Sequence, residues 1–335
     1  MHTITRSTRY LQAIVVALAI SALLAFNTAY AAEFTLRINH TFGINSFPDR
    51  ALQEFKKQLE AKSNKRIEVR IYSSGELGQE IEQYDLLQTG SLEAALLGGQ
   101  ILSSVTPEYS MFEAPYLWRD QTHLRKVWGG ALGKEISALL LQRKGIRIIG
   151  VWNRGARNLT TSVKVVKTPS DLNGLKIRTT QNSVHVAAWK MLGAIPTPMP
   201  FGDVFMGLRQ GVIDGQENPL DLIQSSSIFE VQKNLMLTQH VRSIGWLGVS
   251  EIWFKRLPDD LKKLVLDEAQ IAMLLNDKTL AAEENKILVD LSKKMNIVRE
   301  SDIDLRAFRD RLKDLPKEFA KTWKAGVYQQ ILDTK

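Results

Sequence analysis

Apolar and polar positions alternate along the chain with two periods, one typical of strands and one typical of helices. Phe34–Asn39 alternates residue by residue and predicts a strand. A helix is predicted next, because Ser46 is a favourable N-cap and apolar residues between 52 and 59 recur three and four apart. Residues 67–71 alternate again after a polar break at 64–65. The chain therefore begins with the order strand, helix, strand.

The same alternation continues through about residue 215. Further helices are predicted at 79–88, 129–144, 184–192 and 203–210, and further strands at 92–97, 146–152, 175–179 and 212–215. Strands that alternate with helices predict an α/β fold with mainly parallel sheets. The last third differs, because nothing from 258 to 294 breaks a helix except a polar pair at 276–277. One long helix is expected there, or two helices with a kink at that pair.

The first 31 residues have the pattern of a secretory signal peptide. Arg6 and Arg9 precede an apolar run at 13–26, and the small-residue pattern Ala-Tyr-Ala ends at Ala31. The alternative, a membrane anchor, needs about 20 apolar residues, and this run is shorter. We expect cleavage after Ala31 or Ala32, and export of a soluble protein to the periplasm.

Composition narrows the choice of function. About 300 residues remain after the leader, which is a length typical of two domains. The sequence has no cysteine, so disulfides and cysteine-based metal sites are excluded. The formal net charge is +8, but lysine and arginine alternate with acids rather than cluster. That distribution does not indicate nucleic-acid binding, and it is compatible with an anionic ligand.

Enzyme and metal motifs are mostly absent from the sequence. There is no nucleophile elbow, no phosphate-binding loop and no dinucleotide fingerprint. The histidines after the leader, His40, His123, His185 and His240, form no metal-ligand spacing. His185 is expected to pack beside Trp189 on one helix face. We therefore expect neither a cofactor nor a metal.

Three polar residues are predicted to follow strand ends, where α/β sheets bind ligands. Arg157 comes a turn after the strand 146–152, Arg178 ends the strand 175–179, and Asn218 follows 212–215. The planar fork of an arginine can bind a carboxylate through two parallel hydrogen bonds. A solvated surface charge is the alternative for each arginine alone.

Several motifs resemble the substrate-binding subunits of TRAP (tripartite ATP-independent periplasmic) transporters. They are SGELG at 74–78 followed by Glu80, PE at 107–108 followed by APYL at 114–117, GAR at 155–157, PSDLNGLKIR at 169–178, LGAIPTPM at 192–199, GVIDGQENP at 211–219 and FEVQK at 229–233. The stretch at 214–219, correctly spaced after Arg178, is the most specific, and the resemblance covers nearly the whole mature chain.

The resemblance implies a two-lobed clamshell with strands crossing between the lobes and a long C-terminal helix spanning both. The expected division is residues 32–154 with 243–282 for lobe I, and 155–242 with 283–335 for lobe II. It also implies site roles. Arg178 forms the main salt bridge to the ligand carboxylate, Arg157 is a second anchor, and Asn218 orients the carboxylate. Phe201 packs on the ligand, and Glu80 lines the pocket from the other lobe.

Departures from the family pattern bear on the ligand. Sialic-acid members carry a glutamate and an arginine where this chain has Gly98 and Ile101, which argues against sialic acid. Asp203 replaces a usual glutamate, with little expected effect. Gln100, on the loop that Gly98 leaves open, is expected to supply one amide to the pocket. Further candidates to meet hydroxyl groups and a sugar face are Asn39, His40, Trp152 and Asn153.

The expected function is capture of a sugar acid, such as an aldonate or uronate, for delivery to a small and a large TRAP membrane subunit by a monomeric protein. A C4 dicarboxylate or a small keto or hydroxy acid is the alternative ligand. Two other functions stay open: an exported enzyme with Glu80 as its base, and a sensor that signals to a membrane receptor.

Overall fold

The computed structural model describes residues 32–335, so the predicted signal peptide lies outside the described residues. The strands are β1 Phe34–Asn39, β2 Ile67–Tyr72, β3 Ala94–Leu97, β4 Ile146–Thr161, β5 Lys176–Thr179, β6 Ile195–Pro198, β7 Gly215–Pro219, β8 Asn234–Ser250 and β9 Asn296–Val298. The helices are α1 Phe47–Lys62, α2 Glu80–Thr89, α3 Gln100–Val105, α4 Gln121–Gly129, α5 Ala131–Lys144, α6 Ser183–Met191, α7 Val204–Arg209, α8 Leu220–Ser225, α9 Glu251–Arg256, α10 Asp259–Ser292, α11 Leu305–Leu312, α12 Leu315–Glu318 and α13 Val327–Asp333. Short 3₁₀ turns connect several of them.

The strands form one sheet in the order β2-β1-β3-β8-β4-β7-β5-β6, with β9 paired to β8. Strands β1, β2 and β3 are parallel at one end, and β5, β6 and β7 are parallel at the other. The long strands β4 and β8 pair antiparallel between them and connect the two parallel groups. The predicted α/β fold with mainly parallel strands is confirmed, and the antiparallel pairs all involve β4 or β8.

Strand β4 continues beyond the point at which the sequence predicts its end. The strand begins at Ile146 as predicted, but its predicted end at 152 and the turn after it are wrong, because the strand runs to Thr161 through register shifts at Asn153/Ala156 and Arg157/Leu159. Gly155 lies at φ +76°, which residues with a side chain rarely adopt, and it permits this bulge. Strand β7 is likewise displaced from the predicted 212–215 to Gly215–Pro219.

The polar pair Asn276 and Asp277 does not kink the long helix. Helix α10 is continuous over 34 residues. Asn276 donates from Nδ2 to the Asn153 carbonyl at 3.0 Å, and Asp277 accepts from the Asn153 amide at 2.7 Å. These side chains therefore satisfy both backbone groups of Asn153, where the β4 bulge begins.

The start of the chain follows the predicted pattern closely. The Ser46 hydroxyl accepts from the Asp49 amide and caps α1, and Asn64 and Lys65 adopt positive φ where that helix ends. Helix α10 packs against α1, β4 and α8. It therefore contacts the helix that follows β1 and also the helix that follows β7. The division of the chain into two lobes stays a prediction. Within residues 32–335, no helix is both long and apolar enough to cross a membrane.

Candidate functional site

The site lies at the centre of the sheet, where β4, β7 and β5 are adjacent. Arg157 is on β4, Asn218 on β7 and Arg178 on β5, and cross-strand register brings them together: Asn158 pairs with Asn218, and Arg178 with Gln216. The two arginines and the asparagine are each at most 2% exposed. Arg178 ends its strand as predicted, whereas Arg157 and Asn218 lie within strands rather than beyond them.

Arg178 is a buried arginine without an acidic partner among the described residues. Its Nε and Nη2 both donate to the Met199 carbonyl, at 3.1 and 2.7 Å. Burial and the nearby charge of Arg157 lower its pKa to about 10, so it stays protonated at neutral pH. The remaining Nη1 and Nη2 hydrogens form an edge that matches a carboxylate. A buried unpaired charge is costly, and a bound anion offsets that cost.

Arg157, in contrast, is already paired with Glu217. Its Nε and Nη2 donate to the two carboxylate oxygens of Glu217 at 2.5 and 2.8 Å, and Nη2 also donates to the Glu217 carbonyl at 2.6 Å. Burial acts to raise the pKa of Glu217, but Arg157 and a hydrogen bond from His240 hold it well below its ordinary value. Burial acts to lower the pKa of Arg157, but the Glu217 carboxylate raises it above its ordinary value.

His240 completes this buried triad as a neutral group. Its Nε2 lies 3.0 Å from Glu217 Oε2, and its Nδ1 lies 2.8 Å from the Thr238 hydroxyl. Burial lowers the pKa of His240, so the neutral ring donates from Nε2 to the carboxylate. Glu217 and His240 were not among the predicted site residues, although Glu217 lies inside the motif at 214–219. The triad fixes the Arg157 guanidinium in one orientation.

Asn218 is held by a chain of side-chain hydrogen bonds. Its Nδ2 donates to Gln216 Oε1 at 2.5 Å, and Gln216 Nε2 donates to the Thr160 hydroxyl at 2.9 Å. This chain sets which end of the Asn218 amide is free. Because Nδ2 is hydrogen-bonded to Gln216, the amide is oriented by its neighbours. Its Oδ1 accepts no hydrogen bond from a described residue.

The opposite side of the site is built around Glu80 at the start of α2. Its Oε1 accepts from the Gly98 amide at 2.6 Å and from the Tyr84 hydroxyl at 3.2 Å, and its Oε2 accepts from Gln100 Nε2 at 3.0 Å. Gln100 Oε1 is buried and has no partner within the described part of the chain. Glu80 and Gln100 therefore form one connected polar group.

Trp152 forms an aromatic pair with Phe42, and both rings contact a third arginine, Arg154. Trp152 and Phe42 meet edge to face at 5.1 Å, and the Arg154 guanidinium carbon lies 5.7 and 5.6 Å from their ring centroids. Such separations allow cation–π attraction. Arg154 is not among the residues that the sequence predicts, because the pattern at 153–156 indicates a turn. The bulge of β4 brings it to the site instead.

Phe201 lies beside the unpaired arginine and at the contact between the two sides of the site. The Arg178 guanidinium carbon is 5.8 Å from its ring centroid. The next amide, of Gly202, donates to Gln79 Oε1 at 3.2 Å, and Asn182 Nδ2 donates to the Gly99 carbonyl at 3.4 Å. Both bonds join residues that are predicted to lie in different lobes.

Asn39 and His40 differ in how far neighbouring residues occupy their polar atoms. Asn39 donates to the Gly78 carbonyl at 2.8 Å and accepts from the Leu77 amide at 3.3 Å, so both ends of its amide hold the loop before Glu80. His40 Nε2 lies 3.2 Å from the Asp49 carboxylate at the start of α1. The Nδ1 of His40 is buried and has no hydrogen-bond partner among the described residues. Asn39 therefore has a positioning role, whereas His40 keeps one free polar atom.

His185 also lies near the site rather than in plain helix packing alone. Its Nδ1 lies 2.8 Å from the Thr180 hydroxyl, and its Nε2 lies 3.3 Å from a carboxylate oxygen of the buried Glu113. Glu113 was not predicted, and it packs directly against Gly99, where a Cβ would collide with its carboxylate. Within residues 32–335, no group of three or more histidine or acidic side chains is arranged to hold a metal ion.

Comparison with known proteins assigns nearly the whole described fold to one family. Residues 38–322 match the family described as "Bacterial extracellular solute-binding protein, family 7", also called DctP. The 2,3-diketo-L-gulonate-binding periplasmic protein YiaO of Escherichia coli is 31% identical over 302 residues, which cover 90% of this chain and 92% of that protein.

Solved structures of TRAP periplasmic solute-binding proteins have the same fold. One from Polaromonas, bound to D-erythronate, has a TM-score of 0.85 and 32% identity, and the match covers 90% of this chain and 99% of that one. Another from Sulfurospirillum deleyianum, with bound succinate, has a TM-score of 0.86 and 27% identity over 91% of this chain and 100% of that one.

Proposed function

The chain belongs to bacterial extracellular solute-binding protein family 7, and on that basis we propose that it captures a sugar acid, such as an aldonate or uronate, for a TRAP transporter. Its family consists of transport subunits that bind solutes and not of enzymes. The site agrees with that membership, because it contains paired and unpaired charges that recognise an anion.

The observation that carries the proposal is the unpaired guanidinium of Arg178. It is 1% exposed, and its protein partner is a neutral carbonyl, Met199. An isolated buried charge costs several kcal/mol, and only a well-bonded partner of opposite charge offsets the cost. A carboxylate bound through two parallel hydrogen bonds is that partner.

The surrounding polar groups favour a hydroxylated acid. Arg157 and Asn218 flank the carboxylate position, and Phe201 covers it. Glu80, Gln100 and Trp152 supply polar and aromatic contacts on the other side. The similar proteins that bind 2,3-diketo-L-gulonate and D-erythronate support a sugar acid, and the succinate-bound structure supports the alternative of a C4 dicarboxylate.

Binding is proposed to close the two predicted lobes. An acid that contacts both sides has a higher affinity for the closed form, so it shifts the population from open to closed. The closed form then delivers the acid to the small and large membrane subunits, with an ion gradient as the energy source. The pattern of the first 31 residues supports export to the periplasm. A sensing role at a membrane receptor is the alternative use of the same closure.

A ligand screen tests the proposal. Residues 32–335 are purified, unfolded and refolded to remove bound acid, then heated with aldonates, uronates, C4 dicarboxylates and keto acids. An acid at 100 times its dissociation constant adds about 2.7 kcal/mol of stability. Arg178→Ala removes the effect, and Arg306→Ala, at an arginine with a 91% exposed side chain, keeps it. The absence of any response to carboxylates would contradict the proposal.

A further inference from the structure

Arg154 is a half-buried cation that the carboxylate anchor does not use. Its Nε is buried without a hydrogen-bond partner, and no nitrogen of Arg154 donates to another described residue. Its guanidinium lies against the rings of Phe42 and Trp152. These rings do not accept conventional hydrogen bonds from the N–H groups of Arg154. An arginine has five N–H donors and no acceptor, so a group that accepts hydrogen bonds is missing here.

Glu80 faces Arg154 without bonding to it. A Cβ at Gly98 would collide with both the Nη1 of Arg154 and the Oε1 of Glu80, so the glycine is what lets the two groups converge. Yet among the described residues no ion pair or hydrogen bond joins them. The Glu80 carboxylate is instead held by Gly98, Tyr84 and Gln100.

The two sides of this gap have complementary needs. Arg154 offers only donors. Glu80 and the unpartnered Gln100 Oε1 offer only acceptors. A hydroxyl group donates one hydrogen bond and accepts others, so it satisfies both sides at once. A second carboxylate would satisfy Arg154 but would lie against the Glu80 carboxylate, and like charges repel where water is partly excluded.

We propose that Arg154 and Glu80 form a second subsite, distinct from the carboxylate anchor, that binds hydroxyl groups and selects hydroxylated monocarboxylic acids over dicarboxylic acids. The inference rests on the proposed function, because it takes Arg178 as the anchor. Arg154 is then a specificity-determining residue. Its loss weakens hydroxylated acids roughly 10- to 100-fold, the effect of one hydrogen bond to a charged group.

Two sets of acids with matched chain lengths test the subsite by calorimetry. The four-carbon set is D-erythronate, succinate and butyrate, and the six-carbon set is L-galactonate, adipate and hexanoate. The wild-type protein is expected to bind the hydroxylated acid of at least one set 10-fold or more tighter than the diacid of the same length. A preference below 10-fold, or tighter binding of the diacid, in both sets overturns the inference while leaving the anchor intact.

Arg154→Met is expected to weaken the hydroxylated acid 10- to 100-fold and to change binding of the unhydroxylated monoacid less than threefold. Arg306→Met is the matched surface control. An equal loss for all acids shows a merely structural role and overturns the inference, as does an unchanged affinity. Arg154→Lys keeps the charge without the fork, gives an intermediate loss, and serves if Arg154→Met fails to fold.

Failure of the proposed function gives a different pattern. If Arg178→Ala binds every acid as tightly as the wild type, the anchor is wrong, whatever Arg154 does. If the wild type binds none of the six acids, both the anchor and the subsite are contradicted. A preference for hydroxyl groups that disappears in Arg154→Met, together with a loss of all binding in Arg178→Ala, supports both.

Discussion

Arg178→Lys is the substitution that separates charge from geometry at the anchor. In the structure the guanidinium uses Nε and one hydrogen of Nη2 for the Met199 carbonyl, and its other edge forms no hydrogen bond to a described residue. A lysine places one ammonium there. That ammonium must serve both Met199 and the carboxylate, and it cannot form two parallel bonds to the acid.

The magnitude follows from the second parallel hydrogen bond that a lysine cannot form, because its ammonium can still lie over the Phe201 ring as a cation. One charge-assisted hydrogen bond is worth about 1.5–3 kcal/mol. Its loss predicts a decrease in binding free energy of about 1.5–3 kcal/mol, or roughly a 10- to 150-fold increase in dissociation constant. The net charge of the protein is unchanged, so long-range attraction of the anion is preserved.

Titration calorimetry of refolded, ligand-free protein measures this decrease. The titrant is the acid from the ligand screen that binds the wild type best, and Arg306→Lys is the control for a lysine at an exposed position. Thermal denaturation without ligand checks that the variant folds. A dissociation constant within threefold of the wild type, in a folded variant, would refute the assignment of Arg178 as a bidentate anchor.

Three other predictions concern stability and are measured by urea denaturation. Glu217→Gln leaves the buried Arg157 without its counter-charge and costs about 3–5 kcal/mol; a change below about 1 kcal/mol would contradict the pairing. Burial raises the pKa of Asp221 to about 7, whereas an ordinary aspartate has a pKa near 4. Between these two pH values the wild-type free energy of unfolding falls as the pH rises, so Asp221→Asn should gain stability relative to the wild type over that interval. Parallel pH profiles of the two proteins would contradict this prediction. Gly155→Ala, at φ +76°, should cost about 1–2 kcal/mol, whereas Gly129→Ala, with open space at its Cβ, should not; equal effects would contradict the bulge.

Local pattern was sufficient for most of the fold. Helix α1 is capped by Ser46 where the sequence predicts, and the period-two stretches before and after it form β1 and β2. The long helix α10 follows from uninterrupted helix-forming residues. These elements are determined by residues close in sequence, and the burial of one face of each gives the pattern its period.

The centre of the sheet was not predictable in the same way. The second half of β4 and the strand β7 are polar: Arg157, Asn158, Gln216, Glu217 and Asn218 are buried in the sheet. Their hydrogen bonds come from one another across strands that are about 60 residues apart in sequence. A hydrophobic period cannot reveal a strand whose buried residues are polar and paired.

The same reason explains which site residues were missed. Arg178 was found because an apolar strand leads to it. Arg154 and Glu217 were missed because their placement depends on a bulge and on a partner distant in sequence. Asn39 was predicted at the correct strand end, but its amide binds the loop at 77–78. Position at a strand end indicates nearness to the site but not the direction of the side chain.

The measurement that tests the proposed anchor most directly is a crystal structure of the mature protein with the acid that the ligand screen identifies. We predict that the acid's carboxylate lies within hydrogen-bond distance of Nη1 and Nη2 of Arg178, while the guanidinium of Arg157 still binds Glu217. A carboxylate bound elsewhere, with Arg178 still bonded only to Met199, would contradict this assignment.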